Sequence, residues 1–245
     1  MNERYRWKAV LCTAFLLVFG GCSISAEAQV SISPVRVDLS DQRSKTVVQI
    51  SNQQDTTASY QVEVVAWSQT DTQREVYSPT EEIVAVPPLF TLQPGQEQIV
   101  RIGMLTEADP LVERSYRMFV TELASPQEQE QQTSGVNMRL RLGIPVFVAP
   151  NAPPNATLDH FDSEQVDGQL FMHLRNSGNT HVRISEVQYL GQGMEEPRTE
   201  SAAIYILSGQ TAYVPVELGD GDDKGKVTIV TDTLGSVEYE LSAAN

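Results

Sequence analysis

Past residue 28 the chain has no cysteine: the two present among its 245 residues are Cys12 and Cys22. Histidine is nearly as scarce. His160, His173 and His181 fall at spacings that match no metal-binding motif, so neither a metal centre nor another cofactor is expected. No Gly-x-Ser-x-Gly elbow is present, and no glycine loop of the dinucleotide or P-loop kind. Without an activated nucleophile or a phosphate cradle, an enzyme is not expected. Basic residues are also short, 17 Lys and Arg against 32 Asp and Glu, and an acidic surface of this kind argues against nucleic acid and against anionic lipid. Beyond the N-terminus there is no apolar run long enough for an integral membrane span, and no convincing helical periodicity.

The N-terminal segment, residues 1–28, reads as a secretory signal peptide. Arg4, Arg6 and Lys8 precede an apolar stretch over residues 9–19, and Ala26-Glu27-Ala28 has the small-x-small form of a cleavage site. Gly20-Gly21-Cys22 offers a rival reading as a lipoprotein box, but Phe19 stands where such a box prefers Leu. Cleavage after Ala28 removes both cysteines and, with them, three basic and two acidic residues, which leaves 14 basic against 30 acidic. A chain of this kind enters an oxidising compartment with no disulfide, so its cores must be large enough to stand unstapled. Its length suffices for two.

What fills the rest is a succession of short alternating runs. Residues 30–39 form a strand interrupted by Pro34, which cannot donate to a ladder and so marks an edge strand that changes partner there. Residues 45–51 and 58–67, separated by a polar turn, read as a hairpin. Residues 82–86 stop at Pro87-Pro88, and Leu92-Gln93-Pro94-Gly95 is a tight turn, Pro94 presetting its angle and Gly95 supplying a positive φ. Residues 98–104 and 115–123 follow. After a Pro- and Asn-rich stretch at 149–156, expected to be a hinge, the pattern resumes at 157–161, 170–175, 181–190, 203–207, 212–217, 226–231 and 237–241. Asn176-Ser177-Gly178-Asn179 and residues 219–223 are turn signals between these runs, and the acidic stretch 220–223 reads as a solvated turn, lacking the spacing and closing glutamate of a calcium loop. The expected fold is all-β, two immunoglobulin-like β-sandwich domains over residues 29–150 and 151–245.

The most informative stretch is 136–150. Val136, Met138, Leu140, Leu142 and Ile144 alternate with Asn137, Arg139 and Arg141 in the earlier part, a comb of apolar side chains on one face of a strand. Ahead of it, residues 125–135 are Pro, Gln, Glu, Thr, Ser and Gly with little to bury. Such a comb can fill its own domain's core, or it can be lent to another chain's open sheet.

Taken together, these stretches resemble the periplasmic pilus-assembly chaperones of the chaperone/usher pathway. The resemblance rests on Ile32-Ser33-Pro34-Val35-Arg36-Val37, Pro87-Pro88 leading to Leu92-Gln93-Pro94-Gly95 and Ile99-Val100-Arg101-Ile102, and Ser115-Tyr116-Arg117-Met118-Phe119. The last piece is Leu142-Gly143-Ile144-Pro145-Val146-Phe147-Val148-Ala149-Pro150. It implies two immunoglobulin-like domains in a boomerang arrangement and an ATP-independent role in the periplasm. That role is to cap pilin-like subunits by donor-strand complementation and deliver them to an outer-membrane usher. Val136, Met138, Leu140, Leu142 and Ile144 would then be the donor residues. The alternative is a structural or adhesive two-domain surface protein whose comb is only core.

The resemblance also implies that a subunit's terminal carboxylate is held between the domains by an Arg on the first strand and a Lys on the seventh. Arg36 matches the first, but Pro145 stands at the second position. The family's Tyr-Arg-Pro ending is Val148-Ala149-Pro150 here, so a basic residue that helps lock the domains is missing too. These departures resemble the archaic or spore-coat-like branch of the family. Arg101, Arg117 and Arg139 are candidates for the replacement cation, and Arg117, on the strand beside the comb, is preferred. The intact mass of the protein recovered from the periplasm should correspond to a first residue of Gln29; a mass showing a diacylated Cys22 would overturn the signal-peptide reading.

Overall fold

The computed structural model describes residues 30–70, 74–124, 139–166, 169–218 and 224–241, and these contain strands and no helix. Among the described residues no helix is long and apolar enough to cross a membrane. Residues 1–28, read above as a signal peptide, residues 125–135, Val136, Met138 and the acidic stretch 219–223 lie outside the described residues.

Two sheets face each other in the first sandwich. One has the order β1 (Val30–Ser33), β3 (Lys45–Asn52), β8 (Glu97–Met104), β6 (Ile83–Val86). The other runs β2 (Val37–Leu39), β10 (Arg141–Val148), β9 (Arg114–Leu123), β4 (Ala58–Gln69), with β5 (Glu75–Pro79) and β7 (Leu89–Leu92) sharing the far edge of β4. Among the described strands only β2 and β10 pair in parallel. Alternate residues of both sheets, among them Ile50, Tyr60, Ile102, Met118 and Val146, meet in a single core. The chain changes sheets at Pro34 as its sequence suggests: β1 pairs with β3, and β2 pairs with β10 on the opposite side.

The hairpin expected of residues 45–51 and 58–67 does not form. β3 pairs with β1 and β8, β4 with β5, β7 and β9, so the polar turn between them crosses from one sheet to the other. Asn52, fully buried, makes that crossing: its Nδ2 donates to the carbonyls of Thr56 at 2.8 Å and Leu92 at 3.1 Å, and its Oδ1 accepts from the Gln54 N–H at 3.0 Å. A polar loop between two alternating runs is compatible with a hairpin or an arch, and only the satisfaction of a buried amide decides between them. β5 and β7 have no counterpart in the sequence reading; every residue of β5 is exposed, so it carries no burial pattern.

In the second sandwich the sheets are β11 (Asp159–Val166), β12 (Gln169–Arg175), β15 (Thr211–Val216) and β14 (Arg198–Ile206), β13 (Val182–Gly191), β16 (Gly225–Thr231), β17 (Gly235–Leu241). Each corresponds to one of the seven runs after 156, with ends that coincide or are displaced by up to five residues. The same turn device recurs. Asn176, fully buried, donates to the carbonyls of Thr180 at 2.7 Å and Ile206 at 3.0 Å and accepts from the Gly178 N–H at 3.0 Å.

Residues 149–156 are not the free hinge expected of a Pro- and Asn-rich stretch. The N–H groups of Ala149, Asn151 and Ala152 donate to the carbonyls of Leu39, Asp109 and Pro110, and the Asn155 carbonyl accepts from Asn179 at 2.7 Å. Gly178 packs against this strap so closely that a Cβ would stand 2.2 Å from the Asn155 carbonyl oxygen. Asp41 braces it from the first sandwich, accepting from the Ala108 N–H and the Asn151 amide, and those two bonds hold its carboxyl below the usual range. Asn176→Ala should leave two buried carbonyls without donors, at about 1–3 kcal/mol each. Urea denaturation should therefore show a loss of about 2–6 kcal/mol, and a loss well under about 1 kcal/mol would mean that the amide does not hold the turn.

Candidate functional site

β10 begins at Arg141, later than the comb, and continues to Val148. Leu142, Ile144, Val146 and Val148 point into the first core, while Gly143, Pro145 and Phe147 occupy the other face. Ile144 is 5% exposed and belongs to that core, whereas Leu140 and Leu142 are only partly buried against it. The backbone is equally uneven. The Glu122 N–H donates to the Leu140 carbonyl, so even-numbered residues turn their backbone groups toward β9 and odd-numbered ones away from it. β2 covers that outer side only from Val146 onward. Among the described residues, the backbone groups of Arg141 and Gly143 therefore face an edge with no strand beside it. Pro145 is tolerated because its missing N–H would point to the same outer side.

The Gly143 and Pro145 face of β10 borders a cleft of about 670 Å³ between the sandwiches, whose lining includes Arg36, Arg117 and Pro145 from the first and Arg183, Tyr205 and Asp232 from the second. Pro145 is the cross-strand partner of Arg117, so the guanidinium occupies the space that a long side chain at 145 would otherwise use. Arg117 is 9% exposed; it donates to Glu75 Oε1 at 2.7 Å and lies 3.8 Å from the centre of the Trp67 ring. A Cβ on Gly143 would come within 3.0 Å of Phe119 and 3.3 Å of the Arg117 stem, so glycine leaves that arginine its room. Arg36 is exposed, with Nε 3.1 Å from Asp38 and Nη1 3.7 Å from Asp232 across the cleft. Arg183 Nη1 reaches both oxygens of Asp232, at 3.2 and 3.1 Å. Burial raises the Tyr205 phenol, and Arg183, Arg36 and Arg117 together pull it back.

Of the other cations considered from sequence, Arg101 lies on β8 in the opposite sheet and Arg139 is exposed just before β10. Arg183 had no distinguishing signal, since it is one polar position among several in an alternating strand. What the cleft can do chemically is hold a carboxylate, because planar guanidinium groups bind carboxylates through paired N–H donors.

A family model, "Pili and flagellar-assembly chaperone, PapD N-terminal domain", matches residues 29–154, a little over half the chain. The chain belongs to this pilus-chaperone family. No curated protein sequence matches it. Among solved structures, it is similar to a chain of the CsuC–CsuE chaperone–tip adhesion subunit pre-assembly complex from the archaic chaperone-usher Csu pili of Acinetobacter baumannii. That likeness has 22% identity, 89% of this chain and 100% of the other covered, and a TM-score of 0.62. It is also similar to the E. coli chaperone DraB, with 20% identity, 87% and 97% covered and a TM-score of 0.56. A third likeness is to the Salmonella enterica complex of the SafA pilin with the SafB chaperone, with 16% identity, 86% and 96% covered and a TM-score of 0.58. At these identities the likeness speaks for the fold, two immunoglobulin-like sandwiches.

In this pilus chaperone the sandwiches are joined without the basic residue missing from Val148-Ala149-Pro150. Phe147 stacks on His181, ring centres 3.6 Å apart and 10° from parallel, and packs against Trp67, Tyr205 and Leu207. Glu113, its side chain 6% exposed, accepts from the His181 N–H at 3.0 Å and from its Nδ1 at 2.7 Å. The Gln69 amide donates to the Tyr205 carbonyl and accepts from the Leu207 N–H. His181, which stands just before β13, is thus an interface residue. Phe147→Ala removes a fully buried ring from this contact and should cost about 3–5 kcal/mol of stability by chemical denaturation. An unchanged unfolding curve would mean that the ring carries no load between the sandwiches.

Proposed function

We propose that the protein is an ATP-independent periplasmic chaperone that caps pilin-like subunits by donor-strand complementation and passes them to an outer-membrane usher. The observation that carries this reading is the uncovered edge of β10 at Arg141 and Gly143, with partly buried Leu140 and Leu142 beside it and a cleft of arginines at its end. An immunoglobulin-like subunit that lacks a strand exposes an apolar groove and a row of unpaired backbone groups, which together invite aggregation. The edge of β10 supplies the backbone ladder. Val136, Met138, Leu140 and Leu142 supply the side chains, each contributing about 1.5–3 kcal/mol when fully buried, before the ordering of the preceding segment is subtracted. Ile144 takes a different part: held in the first core, it fixes the register of the donor segment rather than entering the groove.

Arg36 and Arg117 are the residues we assign to the subunit's terminal carboxylate. Both line the cleft, and Arg117 approaches it from the strand beside Pro145, where the family's lysine is missing. That substitution, the Val148-Ala149-Pro150 ending and the likeness to the CsuC–CsuE complex support a place in the archaic branch. CsuC and SafB are each described in complex with a subunit, which supports a pilin-like client here. We place the domain boundary at 150/151, within the strap, and the mature protein in the periplasm.

Leu140→Arg tests the donor role. A charge there is costly in a subunit's apolar groove but can reach water in the free protein, where Leu140 is only partly buried. The variant should melt within a few degrees of the parent yet fail to keep a co-produced pilin-like subunit soluble in the periplasm. If instead its first sandwich unfolds, the comb is core and the structural-protein alternative gains; if it stays stable and still protects the subunit, donation through this strand is refuted.

A further inference from the structure

The cleft holds a carboxylate of its own between two of its arginines. Asp232 Oδ2 stands 3.1 Å from Arg183 Nη1 of the second sandwich and 3.7 Å from Arg36 Nη1 of the first. The seat is bridged from both sides. The lining carries three arginines, Arg36, Arg117 and Arg183, and three carboxylates, Asp38, Glu75 and Asp232. A set so balanced gains little from a further negative charge unless one of its own carboxylates withdraws.

We propose that Asp232 is an internal stand-in for the client's terminal carboxylate and that Arg183 is a third residue of the anchor. Capture then proceeds by exchange of one carboxylate for another; the inference rests on the chaperone reading above. Of the three carboxylates Asp232 is the one that a ligand must displace, because it alone bridges Arg36 and Arg183. Glu75 is held by the Tyr77 hydroxyl as well as by Arg117. Asp38 stands two residues from Arg36 and touches neither of the other arginines among the described residues. Asp232 lies in the turn between β16 and β17 with its side chain 34% exposed, so a rotation about its side-chain bonds carries it into water. Its own N–H donates to the Arg183 carbonyl at 3.1 Å, which keeps the turn in place when the side chain departs. The arriving carboxylate inherits the fork of Arg36 and Arg183 and so ties the client to both sandwiches, while Arg117 stays beside the strand.

The test uses two fluorescent peptides of alternating Val and Thr, one ending in a free carboxylate and the other in an amide, titrated by anisotropy against the mature protein and its variants. The parent should prefer the acid by about tenfold, the worth of one charge-assisted contact. Asp232→Asn should tighten the acid several-fold and leave the amide unchanged. Arg183→Gln should weaken the acid by about tenfold, again without moving the amide. If either variant shifts acid and amide alike, the pair is a strut between the sandwiches and the inference is overturned. It is overturned too if neither variant moves the acid while Arg36→Gln does, an outcome that leaves the chaperone reading standing. If neither peptide binds the parent, the donor reading of β10 falls and the inference falls with it.

Discussion

The two faces of β10 are buried by different partners, and most of the structure follows from that division. Ile144, Val146 and Val148 enter the first core, while Phe147 on the opposite face is stacked on His181 of the second sandwich. A strand so clamped over its last residues cannot shift register without turning its core side chains outward. Its earlier residues are held only by β9 on one side, and this leaves a fixed, partly uncovered edge where a second chain's strand could pair.

The junction between the sandwiches shows how one lost interaction is replaced by several of another kind. Where the resemblance leads one to expect a basic residue before Pro150, the chain has Ala149. The joint is carried instead by aromatic stacking, by the buried Glu113 carboxylate on His181 and by the Gln69 amide paired to the backbone of the second sandwich. Buried carboxylates need partners, and both hydrogen bonds to Glu113 come from His181. The strap at 149–156, pinned by backbone hydrogen bonds and by the close approach of Gly178, removes the freedom that its composition suggests.

Charge in the cleft follows the same logic. Pro145 puts no cation on β10, yet its cross-strand partner Arg117 fills the space above it, with Trp67 beneath the guanidinium and Glu75 at its end. Arg36 and Arg183 come from different sandwiches and meet over Asp232. An acidic protein thereby gathers three arginines into one cleft, each with a carboxylate at hand.

What the sequence by itself determined is the part governed by local periodicity and by residues with narrow conformational ranges. Alternation at period two placed the strands of the second sandwich and the strand nature of β10, Pro34 marked the change of sheet, and the order of motifs pointed to the family. Only the tertiary structure decided which strands are neighbours. β3 and β4 lie in opposite sheets because a buried Asn52 satisfies backbone groups across the arch, and a polar turn reads alike in either case. Ile144 and Leu140 are indistinguishable in the comb, yet one lies in the first core and the other is only partly buried against its margin, because the extent of that core along the strand is set by the facing sheet. His181, Arg183 and Asp232 gained their places for the same reason. Their roles depend on what approaches from a distant part of the chain, and pattern along a single strand carries no trace of that approach.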